Sequence, residues 1–187
     1  LPNELKGVIP DNEWKKKNIG EPWYPGETLS AAIGQGYIQV TPIQMAVMVA
    51  RIASGRKVQP RITIENNQYD RKFSYLRGIL AENLNLVRGA MNAVVNEGGT
   101  AAGSRIYDGK YAMAGKTGSA QVKTINRDKA RSQAEQDTNT HSMFIGYAPS
   151  YKPKYAIAVA IERAGGGSKT AAPIARDILN YTQQKLG

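Results

Sequence analysis

No cysteine occurs among the 187 residues, which removes disulfides and thiol catalysis from consideration and says little about compartment. Long apolar runs are missing too. No stretch approaches the roughly 18 apolar residues of a membrane span, so any membrane anchor or export signal is expected outside the chain. Acidic residues are scarce relative to basic ones: 15 Asp and Glu face 25 Lys and Arg, a formal charge of +10 with a pI near 9.8. That surplus could draw nucleic acid, anionic lipid or an acidic polymer. The basic residues are dispersed, however, from Lys15 to Lys17 through Arg56 and Lys57 to Lys185. No basic helix or aromatic-interleaved basic stripe stands out, so nucleic acid is not expected as a partner. Asp and Glu form no cluster with ligand spacing, so no metal is expected. Internal repeats and low-complexity tracts are absent as well.

What is present is ordinary for a globular domain: 41% apolar and 21% charged residues in a chain long enough to bury a core. The chain begins at Leu1 rather than at a methionine and opens on a Pro- and Lys-rich segment, which reads as a piece of something longer. Residues 1–40 are loop-rich, with "GEPWYPGETLS" the clearest turn-rich stretch, and residues 1–30 are expected to lack regular structure. Residues 41–109 read as helical. In "VTPIQMAVMVARIASG", Thr41 is placed as N-cap, Pro42 at the first helical position and Gln44 as the partner in a capping box. Gly55 ends this helix, which is apolar nearly all round and so expected to be buried. "KVQPRITI" reads as a short or edge strand, because Pro60 cannot donate in a central one. From about Ile79 to Glu97, Leu80, Leu84, Val87, Met91 and Val94 recur at steps of three and four, and Gly98 and Gly99 stop the helix.

Residues 110–187 change period. "KYAMAGKTGSAQV", "HSMFIGYAP" and "KYAIAVAIE" read as strands, the last apolar enough to be central and covered on both faces. "GGGSKTAAPIARDILNYTQQKL" closes with a helix capped by Ser168 or Thr170, with Ile174, Ile178, Tyr181 and Thr182 sharing its packing face. The polar stretch 123–140 reads as a mobile connector. Helices followed by a three-strand antiparallel ladder and a packing helix make an α+β pattern.

Lys116, Thr117 and Gly118 interrupt the alternation of "YAMAGKTGSAQV". A phosphate-binding loop ends in the same letters, but it needs a glycine at position 110, where Lys110 stands, and Gly109 is one residue early. It must also open a helix, whereas "SAQVKT" alternates as a strand. At an exposed strand edge the same residues make an anion site. The Lys116 ammonium and Thr117 hydroxyl can hold a carboxylate. Gly118 leaves room for a ligand to lie against the backbone as an added strand, and the Ser119 N–H is placed to meet a developing oxyanion.

This group resembles the K-T-G box of the serine penicillin-recognising enzymes, whose nucleophile box is S-x-x-K. "WYPGETLSAAIGQGYIQVTPIQMA" is similar to the segment between the second and third boxes of the rod-shape transpeptidases of the penicillin-binding protein 2 type. "HSMFIGYAP" and "GGGSKTAAPIARDIL" are similar to that family's strand and final helix after the box. The resemblance covers nearly the whole chain. It implies the penicillin-binding protein and serine β-lactamase-like fold, an antiparallel sheet flanked by helices, of which residues 1–187 are the C-terminal part of one transpeptidase domain. It also implies a peptidoglycan D,D-transpeptidase that works through a serine acyl-enzyme without a cofactor, on the periplasmic face of the bacterial inner membrane. Stem peptides, β-lactam antibiotics and elongation-complex membrane proteins are the partners so implied.

Carried onto this chain, the resemblance makes Lys116 a support for the proton network and electrostatics, and Thr117 the holder of the substrate carboxylate. Gly118 becomes the clearance position and Ser119 a contributor to the oxyanion hole. Gln121 joins Lys116, Thr117 and Ser119 as a substrate-binding residue. No acceptable S-x-x-K or S-x-N is found, so both boxes are expected before Leu1, and the chain alone is not expected to acylate. A division-type transpeptidase or a D,D-carboxypeptidase would share the K-T-G box, with "EPWYPGETLS" favouring the elongation type, and a non-catalytic scaffold piece stays open. Because the family's base is a lysine, the single histidine, His141, is read as structural, at a strand end. Trp14, Trp23 and Tyr24 are read as pinning their loop rather than gripping a glycan. Gln35 to Tyr37 stand open between a place near the cleft and a plain glycine turn.

Overall fold

The computed structural model describes residues 3–61, 73–121 and 140–186. The connector expected at 123–140, Thr140 excepted, and most of "RITI" lie outside the described residues. Two compact units, Leu1–Thr41 and Pro42–Gly187, are distinguished by their contacts.

The first unit is not the irregular segment that its prolines and glycines suggest. Helix α1, Asn12–Asn18, starts where the Asp11 side chain accepts the Trp14 N–H at 2.7 Å, and Lys15, Lys16 and Lys17 occupy its last turn, where the helix dipole favours cations. Helix α2, Pro25–Ala32, has its proline at the first position, where no N–H is needed, and the Glu27 carboxylate reaches back to the Tyr24 N–H at 2.7 Å. The turn-rich letters therefore punctuate a helix start. Lys15 clamps the two helices together: its side chain is 1% exposed, with Nζ 2.7 Å from Glu27 Oε1, 3.6 Å from Glu21 Oε2 and 4.3 Å from the Tyr24 ring centroid. Burial opposes the charge on Lys15, but the Glu27 hydrogen bond and the two carboxylates outweigh it and hold its pKa above the usual lysine value. Glu27 is correspondingly lowered, first by the Lys15 hydrogen bond and then by the Tyr24 N–H. The aromatics pin this unit as expected: the Trp14 and Tyr37 rings lie 5.4 Å apart, and Trp23 Nε1 donates to Thr28 Oγ1 at 2.9 Å. Gly34 and Gly36, at φ +75° and +74°, make the turn that delivers Tyr37 to Trp14.

In the second unit, strands β1, Ala114–Gln121, β2, Thr140–Ala148, and β3, Tyr155–Ile161, form an antiparallel sheet in the order β1-β2-β3. The most apolar strand, β3, is thus an edge strand among the described residues, and β2 is the central one. The run that looks continuously apolar alternates in size: Tyr155, Ile157, Val159 and Ile161 share one face, Ala156, Ala158 and Ala160 the other, and Ala156 and Ala160 are exposed.

Helices α3, Pro42–Ser54, and α4, Ala81–Asn96, pack Val49, Ala53 and Met91 against Ala114, Ile145 and Tyr147 on one sheet face. Burial pushes the Tyr147 phenol upward, with the Arg88 charge only partly opposing it. Although α3 is apolar nearly all round, only Val49 and Ala53 are buried and Met48 is 45% exposed, because the sheet covers one side of the helix. In α4 the buried pair is Met91 and Val95, one turn apart, while Leu80, just before the helix, and Val87 of the expected stripe are exposed. Gly98, at φ +82°, stops α4 as its type suggests. Lys57–Arg61 form no strand; Arg56 alone bridges to Tyr75, and the Lys57 N–H donates to Ser74 O at 2.8 Å.

Helix α5, Ala171–Leu186, covers the opposite face, over Phe144, Ala148, Ile157 and Val159. Its packing stripe is Ala171, Ala172, Ala175, Leu179 and Gln183, whereas Ile174, Ile178 and Tyr181, expected inside, are 37%, 48% and 65% exposed. Three alanines let the helix axis approach the sheet closely, and bulk is left on the outside. The expected cap at Ser168 or Thr170 is replaced by one from β2: the Ala171 N–H donates to Ser142 Oγ at 3.1 Å, while Thr170 Oγ1 donates to Ala164 O at 2.9 Å.

Candidate active site

Strand β1 pairs with β2 alone, in the register Lys116 with Ile145, Thr117 with Phe144, Gly118 with Met143 and Ser119 with Ser142, so its other side carries no strand among the described residues. Strand alternation sends Lys116 and Gly118 to the α3 face and Thr117 and Ser119 to the α5 face. Gln121 ends the strand, paired through its backbone with Thr140. The K-T-G residues thus lie along a strand edge with exposed Lys116 and Ser119.

Lys116 finds no carboxylate among the described residues. Its Nζ donates to Thr117 O at 2.7 Å, which holds the cation close to the strand instead of letting it extend into solvent. Thr117 Oγ1 lies 2.8 Å from Thr100 Oγ1. When Thr100 is the donor, the Thr117 proton is free to bond an incoming carboxylate, and the Lys116 charge beside it supplies the electrostatic half of that contact. A Cβ built on Gly118 would lie 3.3 Å from Met143 Cβ, tight but not prohibitive, so the fold itself makes only a mild demand for glycine here.

The opposite requirement holds at Gly167. A Cβ there would collide with Met143 O and Gly118 O, because the 165–167 loop runs backbone to backbone across the sheet. The Gly167 N–H donates to Ser119 Oγ at 3.3 Å, and Ser142 Oγ donates to Gly166 O at 3.1 Å while receiving the Ala171 N–H. Ser142 is fully buried and ties the glycine loop, the start of α5 and the sheet together. Thr100, Ser142 and Gly167 are residues that motif reading missed. Two carried a signal: Thr100 follows the Gly98-Gly99 stop of α4, and Gly167 belongs to a run of three glycines.

His141 Nδ1 accepts the Arg163 N–H at 3.2 Å, a contact near the start of β2. Among the described residues no group of His, Asp and Glu could hold a metal ion.

The S-x-x-K letters do occur once, at Ser54-Gly55-Arg56-Lys57, although no acceptable S-x-x-K is expected from the sequence. Their geometry removes them as a nucleophile box. A serine and a lysine cooperate at that spacing when one helical turn stacks them, but Ser54 is the last residue of α3 and Gly55, at φ +68°, ends the helix. Ser54 Oγ is turned back onto its own helix, donating to Ala50 O at 2.6 Å and accepting the Arg56 N–H at 3.2 Å, and Lys57 continues into the irregular segment bonded to Ser74.

Residues 1–180 match the family described as penicillin binding protein transpeptidase domain. Peptidoglycan D,D-transpeptidase MrdA of Haemophilus influenzae is 32% identical over 97% of this chain and 29% of its own length, and MrdA of Acinetobacter baumannii is 35% identical over 97% and 28%. The chain therefore spans less than a third of the curated relatives it matches. Among solved structures, PBP2 of Helicobacter pylori in complex with MreC is similar with a TM-score of 0.80 and 32% identity, covering 98% of this chain and 32% of that one. PBP2 of Pseudomonas aeruginosa in complex with WCK 5153 gives 0.72 and 32%, over 97% and 39%. The α+β arrangement of helices around a three-stranded antiparallel sheet is a portion of that shared fold.

Proposed function

Because the chain belongs to the penicillin-binding protein transpeptidase family, we propose that it is the C-terminal part of a peptidoglycan D,D-transpeptidase of the elongation type. The observation that carries this reading is the edge of β1 that carries no strand among the described residues, where Lys116, Thr117, Gly118 and Ser119 stand in sequence. A stem peptide lies along this edge with its terminal carboxylate on Thr117 and Lys116, and Gly118 gives its backbone room. A serine outside residues 1–187 attacks the penultimate D-Ala carbonyl, and the Ser119 N–H helps to hold the oxygen as it gains charge. The C–N bond breaks, D-Ala leaves with a proton on its nitrogen, and the acyl-enzyme passes to an amine of a neighbouring stem. A β-lactam, whose carboxylate and strained amide imitate the same end of the peptide, acylates the same serine. Gln121 borders the substrate path at the end of the strand. The enzyme works on the periplasmic face of the inner membrane and meets an elongation-complex partner, as the Helicobacter pylori relative does in its complex with MreC.

Gel-based labelling with a fluorescent penicillin tests this reading. The product of the intact gene is expected to be labelled covalently, and residues 1–187 alone are not. Labelling of the chain alone would overturn the placement of the serine, and an unlabelled intact protein would overturn the activity.

A further inference from the structure

Thr100 meets Thr117 from a turn that has little freedom to move. Gly98 ends α4 at φ +82°, and a Cβ on Gly99 would collide with the Val94 backbone, so the chain leaves the helix folded tightly against its own last turn. The Ala101 N–H then donates to Val94 O at 3.0 Å and the Ala102 N–H to Gly99 O at 3.0 Å, while the Ala101 side chain, 1% exposed, sits in the core beneath α5. On the other side of residue 100, Asn96, the last residue of α4, donates from Nδ2 to Met113 O at 2.9 Å, one residue before β1 begins. The turn is thus anchored both in the core and on the strand that carries Thr117, and the exposed Thr100 side chain is the part of it that faces the K-T-G residues.

The two hydroxyl oxygens, 2.8 Å apart, allow one hydrogen bond with either as donor. A carboxylate removes that choice. It only accepts, so Thr117 gives its single proton to the anion, and the bond between the two threonines then requires Thr100 to donate. The opposite direction would turn a lone pair of Thr117 toward the carboxylate. Donation by Thr100 also polarises the Thr117 O–H and strengthens its bond to the anion.

We propose that Thr100 is a positioning residue for recognition of the substrate carboxylate. It acts through Thr117, whose proton it directs toward the ligand from a fixed turn at the end of α4. This role rests on the transpeptidase reading, in which Thr117 anchors the carboxylate, and adds to it the residue that sets the direction of the anchor's proton.

The test is the second-order rate of acylation by benzylpenicillin in the intact protein, for Thr100→Val, Thr100→Ser, Thr117→Val and the double variant Thr100→Val, Thr117→Val. Thr100→Val is expected to slow acylation about fivefold, the worth of one neutral hydrogen bond, with an unchanged melting temperature because residue 100 is exposed. Thr100→Ser, which keeps the hydroxyl, is expected to recover most of the rate. The double variant is expected to be no slower than Thr117→Val, since Thr100 has nothing to direct once that hydroxyl is gone. An unchanged rate in Thr100→Val, no recovery with serine, or losses that add in the double variant would each overturn the role of Thr100 and leave the transpeptidase reading standing. An intact protein that benzylpenicillin does not acylate would overturn that reading, and the role of Thr100 with it.

Discussion

Gly115 and Gly118 stand three residues apart in β1 for different reasons. A Cβ on Gly115 would strike the Phe144 ring, and one on Gly146, its partner across the ladder, would lie 2.7 Å from Phe144 Cε1, so the ring covers both glycines and the fold requires them. Gly115→Ala is therefore expected to destabilise the protein by about 1–3 kcal/mol, as overpacked cores do, in denaturant titrations. Gly118→Ala meets only Met143 and should leave stability nearly unchanged, yet slow acylation by a β-lactam because the methyl stands in the substrate's path. Normal acylation by that variant would remove the clearance role. Thr100→Val is expected to slow acylation about fivefold, the worth of one neutral hydrogen bond, by leaving Thr117 without its partner. Lys116, Thr117 and Gly118 were legible in the sequence because polar and small letters break a strand's alternation. Thr100 and Gly167 carried only the local signal of their neighbouring glycines, since they reach the strand from 17 and 48 residues away and only the fold brings them there.

At the scale of elements, apolar letters located the strands and helices better than they located the buried faces. Helix α5 was expected to bury Ile174, Ile178 and Tyr181, the large residues at helical spacing, and it buries alanines instead. Size, not hydropathy, chose the face over the first turns of the helix, where Ala171, Ala172 and Ala175 lie close on the sheet, while Leu179 and Gln183 fill the wider space further along. Ala175→Leu should accordingly cost about 1–3 kcal/mol by overpacking, while Ile174→Ala, on the half-exposed side, should cost less in the same thermal melts. A larger loss from Ile174→Ala would mean that α5 packs through its other face. The two short helices of the first unit escaped for another reason: Pro25 and Asp11 are helix-start signals that composition alone files under loops.

For the molecule as a whole, charge and the shared site set the testable behaviour. The Lys15 and Glu27 pair ties α1 to α2 in the first unit. Glu27 is lowered in the folded state, so its contribution is present above the unfolded value near 4.5 and is lost as pH falls through the folded one; Lys15 is raised, so its contribution persists below 10.5 and is lost at higher pH. Thermal melts should show Glu27→Gln less stable than the parent at neutral pH, with the gap closing well below pH 4.5; a gap constant into acid would separate the clamp from its charge. The family assignment was legible in the sequence because the K-T-G letters come with matching flanks over most of the chain. The fate of Ser54 and Lys57 was not, since their letters satisfy S-x-x-K and only the backbone at Gly55 parts them. The most direct test of the β1 edge as substrate rail is the second-order rate of acylation by benzylpenicillin in the intact protein carrying Thr117→Val, which keeps the shape and removes the hydroxyl. A fall of roughly 10- to 150-fold is expected, the range for losing a hydrogen bond to a charged group, and an unchanged rate would contradict the role of Thr117 as the carboxylate's anchor.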